Sequence, residues 1–139
     1  MQFVGRRKKK LIVAFHFHIA APRGWDCDEC RKLHLEVKRR CGFVPEAQLT
    51  EVRPVWIRGP VETESCPKSV VTAQSLEWLE EFAAWRGGYV PQANLTARQI
   101  EAFQMLEEEV LREAQHVKQS AAKQNLTRNL SREEGNFGK

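Results

Sequence analysis

The spacing of four cysteines constrains this chain more than any other feature. Cys27 and Cys30 form a C-x-x-C pair, Cys41 follows after ten residues, and Cys66 after a further twenty-four. Three of them fall in the polar stretch WDCDECRKLHLEVKRRCG (25–42), and the fourth lies in ESCPKS. Residues 43–65 contain three prolines and little helical periodicity. A middle section this loop-rich cannot build a deep core unaided, so a cross-link of some kind is expected.

A structural zinc site using all four thiols is the expectation, against the alternative of ordinary packing residues. Zinc holds thiolates in a tetrahedron with Zn–S near ~2.3 Å, which places neighbouring sulfurs about 3.8 Å apart. The C-x-x-C pair is a natural half-site, while Cys41 before Gly42 and Cys66 before Pro67 sit in turn contexts that can supply single ligands. One continuous helix from Cys30 to Cys41 would separate them by roughly 16 Å. Either the helix stops early and the chain doubles back, or Cys41 is not a ligand. His34, four residues after Cys30 and on the same helical face, is then the substitute; its alternative is an ordinary exposed histidine.

Two other uses of the thiols compete. In a secreted protein they would form two disulfides. The segment KKKLIVAFHFHIAAP does imitate a signal peptide, but His16 and His18 interrupt its apolar stretch, which favours a cytosolic protein. An apolar strand, a Trp-containing turn and a C-x-x-C opening a helix also resemble thioredoxin- and glutaredoxin-like oxidoreductases, with VRPVWIRG as the proline-then-strand element. Only about twenty-three residues separate Cys30 from Pro54, too few for that fold's intervening helix and βα unit, and Cys41 and Cys66 would be idle.

With 139 residues, one domain is expected. Arg6 to Lys10 carry five positive charges, more than the chain's net +4, so residues 1–10 read as a basic arm on a nearly neutral body. That arm is the candidate contact for nucleic acid. No apolar run is long enough to span a bilayer.

In LIVAFHFHIA (11–20), Leu11, Val13, Phe15, Phe17 and Ile19 alternate with Ile12, Ala14, His16, His18 and Ala20, a period-two pattern that predicts a strand. The two histidines would share its solvent face. A short helix is expected from about Asp26, and a strand within RPVWIRG (53–59) with Trp56 on one face. Two amphipathic helices follow. The first presents Leu76, Leu79, Phe82, Ala83 and Trp85, is capped by Thr72 and stops at Gly87-Gly88; the second opens on a capping box, Thr96 to Gln99. The fold expected is α+β, mainly α: a short N-terminal strand, a zinc-stabilised loop and helix region over 11–68, an antiparallel helix hairpin over 69–117, and a flexible tail over 118–139.

No nucleotide-binding glycine loop, nucleophile elbow or H-E-x-x-H is present. Glu77, Glu80, Glu81 and Glu107 to Glu109 lie opposite the apolar stripes and read as solvated faces. Four thiolates would leave zinc no position for water, so a non-enzyme is expected.

The segments CDECRKLHLEVKRRCGF, CPKSVVTAQSLEWLEEFAAWRGGYV and LTARQIEAFQMLEEEV together resemble small cysteine-containing proteins encoded among the tail-morphogenesis genes of tailed bacteriophages and prophages. The resemblance covers about residues 25–115; the first twenty residues are not part of it. It implies a tail-assembly chaperone or accessory protein with Cys27, Cys30, Cys41 and Cys66 as ligands of a structural zinc. Its partners would be other tail or virion proteins, and its place the host bacterial cytoplasm or the virion. Trp78, at the edge of the first helix's apolar stripe, and Trp85 and Tyr89, near the Gly87-Gly88 hinge, are the candidate partner-binding residues, unless they fill the helices' own core. A nucleic-acid-binding zinc module using the basic arm and RKLHLEVKRR is the alternative.

Overall fold

The computed structural model describes residues 2–42 and 53–136. It is mainly helical, with a small antiparallel sheet and a long C-terminal helix, as the α+β, mainly α reading expects. The elements run α1 (Gln2–Ala20), α2 (Cys27–Lys32), β1 (Trp56–Arg58), β2 (Val61–Thr63), α3 (Pro67–Val70), α4 (Ala73–Arg86) and α5 (Ala97–Asn136). A single 3-10 turn, Gln92–Asn94, lies between the last two.

The expected N-terminal strand is instead the central helix. In α1, Leu11, Val13, Ala14, Phe15 and His16 are all buried, which no one-sided strand allows. Leu11 and Phe15, one turn apart, pack with Phe82, Phe103 and Leu106. Val13 lies on another face, with Trp56 and Val61 of the hairpin. An apolar run without a wet face suits a helix covered by several elements, and its alternation is accidental. Residues 2–10 of the basic arm continue this helix, and Lys8, Lys9 and Lys10 are exposed.

β1 and β2 pair in the register Trp56↔Thr63, Ile57↔Glu62 and Arg58↔Val61. Gly59 turns the chain at φ +56, a conformation that glycine adopts without penalty. Trp56, Val61 and Thr63 face inward while Ile57 and Glu62 face out, the expected period of two.

The predicted helix signals are realised. Thr72 accepts from the Ser75 N–H at the start of α4, and Gly88, just past its end, takes φ +80. At α5 the capping box is reciprocal: the Thr96 N–H donates to Gln99 Oε1 at 2.8 Å, and the Gln99 N–H to Thr96 Oγ1 at 3.2 Å. Trp78, Phe82 and Trp85 of α4 all meet the Phe103 ring, which concentrates the helix contact at one crossing. Leu76 and Ala83, expected inside, are exposed, because the buried face is Ser75, Trp78, Leu79, Phe82 and Trp85. The segment expected as a tail is helical through Asn136, and its residues 121–135 are exposed. Among the described residues no helix is long and apolar enough to cross a membrane.

Candidate metal centre

Three separate segments bring the cysteines to one region. Asp26 caps α2 by accepting from the Asp28 and Glu29 N–H groups at 2.9 and 3.0 Å, and these bonds hold its carboxyl below the usual range. Cys27 and Cys30 then lie one turn apart on a helix of six residues. That helix ends at Lys32. Leu33 is its C-cap and His34 takes φ +53, with Leu35 N–H donating to Cys30 O and His34 N–H to Arg31 O, a Schellman closure. A second closure follows: Arg40 takes φ +51 while Cys41 N–H donates to Glu36 O and Arg40 N–H to Val37 O. Two left-handed residues thus reverse the chain and avoid the continuous helix that would have separated Cys30 from Cys41.

The Cys41 and Cys66 turns are stitched directly. Cys66 N–H donates to Arg40 O at 3.2 Å, and Gly42 N–H donates to Ser69 Oγ at 2.8 Å. A Cβ on Gly42 would stand 2.9 Å from Ser69 Cβ, so only glycine allows this approach. The α2 entry is pinned to the same region by Arg39, which lies over the Trp25 ring at 4.4 Å and donates to Gly24 O. Burial pushes the Cys66 thiol above its ordinary value, partly offset by the Lys68 and Ser69 N–H groups that donate to it; the nearby Cys41 and Cys27 thiols push it up further.

The donor chemistry suits a thiolate site, and the backbone joins the Cys41 and Cys66 turns directly. Among the described residues, however, no three His, Cys, Asp or Glu groups stand close enough to hold a metal ion, and all four cysteines are free thiols. His34 is exposed and outside the helix, so the shared helical face that made it a substitute for Cys41 is not formed.

The aromatic candidates separate. Trp85 stacks on Phe103 at 5.3 Å between centroids and fills the protein's own core. Tyr89 is 85% exposed, and Trp78 is half-buried at the edge of a cleft.

A second cluster is one the sequence reading misses. His16 is 2% exposed, with Nε2 2.6 Å from Glu109 Oε2 and Nδ1 2.8 Å from Glu113 Oε2. Arg58 donates to both Glu113 oxygens, and Arg112 to Glu109 Oε1 at 2.7 Å. Both ring nitrogens of His16 thus have a carboxylate oxygen as hydrogen-bond partner. Burial pushes the Glu113 carboxyl upward, but hydrogen bonds from Arg58 and His16, with their charges, outweigh it and hold the group below its ordinary value. His16 and Glu109 are thus neither on a solvated strand face nor on a solvated helix face. A sequence signal did exist: Phe103, Leu106, Glu109 and Glu113 fall on one helical stripe. This network is saturated by its own partners and reads as a structural tie between α1, β1 and α5.

No family model matches the chain, and no curated protein or solved structure matches it either.

Proposed function

We propose that this protein is a non-enzymatic assembly or accessory factor of a tailed-phage or prophage tail, acting through protein–protein contacts around a structural zinc. Cys27, Cys30, Cys41 and Cys66 would hold the ion, with His34 left in solvent. Bound there, zinc would supply a cross-link between α2, the turn before Gly42 and the start of α3. The observation that carries the zinc reading is the stitching of the Cys41 and Cys66 turns through Arg40 O and Ser69 Oγ. The tail-assembly assignment comes from the resemblance of residues 25–115. In place of the strand that a thioredoxin-like reading needs ahead of Cys27 there is α1, which counts against an oxidoreductase.

Deletion of the gene from an inducible prophage tests the assembly role. The expected result is particles with absent or defective tails, restored by the wild-type chain and not by a Cys27→Ser/Cys66→Ser double variant. Normal, infectious tails after deletion would overturn it. The exposed Lys8, Lys9 and Lys10 favour a second reading, a nucleic-acid-binding module. That reading predicts a steeply salt-dependent affinity for duplex DNA or for RNA; truncating residues 1–10 would leave that affinity if the rest of the chain carries it.

A further inference from the structure

A cleft of about 470 Å³ opens where the first turns of α4 and α5 meet α1. Its walls are of two kinds. Leu11, Trp78, Ala102 and Met105 form an apolar lining, while Lys8, Lys10 and Arg98 stand among its polar residues with a single carboxylate, Glu101. Lys8 is committed to Glu101 at 3.0 Å. Among the described residues no carboxylate pairs with Lys10 or Arg98, and both are exposed. The first turn of α4, from Thr72 to Ser75, lines the same space, and its opening N–H groups add positive potential. The volume lies within the range of small-molecule sites, which combine an apolar wall with a few polar groups.

The geometry points to a binding site for a small amphipathic organic anion: an aromatic or branched apolar body against Trp78 and Met105, with an acid group between Lys10 and Arg98. A neutral body of the same shape gains only the apolar wall. Two uncommitted cations at the rim supply the discrimination, worth roughly tenfold in affinity at low salt. A purely cationic or polar ligand fits neither wall. The inference does not depend on the assembly role.

The test is a fluorescence titration of the full chain with two probes that share one body. 8-Anilino-1-naphthalenesulfonate carries a sulfonate; N-phenyl-1-naphthylamine lacks it. The sulfonate should bind about tenfold more tightly at low salt, with the margin shrinking as salt rises. A Lys10→Glu/Arg98→Glu variant, altered only at exposed positions, should lose that margin yet keep its affinity for the neutral amine, which reports that the cleft still forms. Equal binding of the two probes, or a margin that survives the double reversal, would overturn the proposal. So would failure of both probes to bind.

Discussion

Removing the Glu113 carboxylate takes a partner from the buried His16 and the half-buried Arg58 at once. Arg58 and His16 both lean on it, and the site is nearly closed to water. Breaking a buried pair from one side costs about 3–5 kcal/mol, so Glu113→Ala should lower the unfolding free energy by that order, read from urea denaturation at pH 7. The same contact sets an acid limit. A carboxyl held below its unfolded-state value stabilises the fold above the ordinary Glu range, and that stabilisation fades as pH falls through the depressed folded value. The urea midpoint should therefore drop with acidification below about pH 4.5, and the Glu113→Gln variant should show a shallower drop. An unchanged slope would remove Glu113 from the account. Gly42 makes a separate, steric prediction. With a Cβ only 2.9 Å from Ser69 Cβ, Gly42→Ala must pry apart the Cys41 and Cys66 turns, at a cost of about 1–3 kcal/mol.

Helix α1 distinguishes itself from a strand by which neighbours matter. On a strand, Phe15 and Ile19 share a face, as do His16 and His18. In the helix Phe15 and His16 are buried, whereas Ile19 and His18 are exposed. Phe15→Ala should cost about 3–5 kcal/mol and Ile19→Ala within about 0.5 kcal/mol. Equal losses would contradict the exposure of Ile19 at this end of α1. The far half of α5 is a second element with a clear expectation. Its residues 121–135 are all exposed, so truncation after Ser120 should reduce the helical circular-dichroism signal yet leave the urea midpoint almost unchanged. A large fall in the midpoint would mean that this segment packs on the body.

At the scale of the molecule, what was legible in the sequence was what local chemistry decides. The Thr72 cap, the Thr96–Gln99 box, the Gly87-Gly88 stop and the strand at Trp56 each depend on neighbours a few residues away, and each is found. What was illegible depends on distant partners. Residues 11–17 are apolar on too many sides for a period to be read, and helix or strand is settled by what covers them. Glu109 and Glu113 look like surface acids until His16, some ninety residues earlier, meets them in the core. The cysteines stand between these cases. Their spacing left two choices, a chain that doubles back between Cys30 and Cys41 or a Cys41 that is no ligand, and left-handed His34 and Arg40 do end the helix early. Spacing alone could not say whether the sulfurs gather.

Elemental analysis of the purified full-length chain, with a thiol titration before and after chelation, tests that point most directly. The account predicts one zinc per chain and four thiols that react with a disulfide reagent only after the metal is withdrawn. Protein without bound metal and with all four thiols reactive from the outset would contradict it.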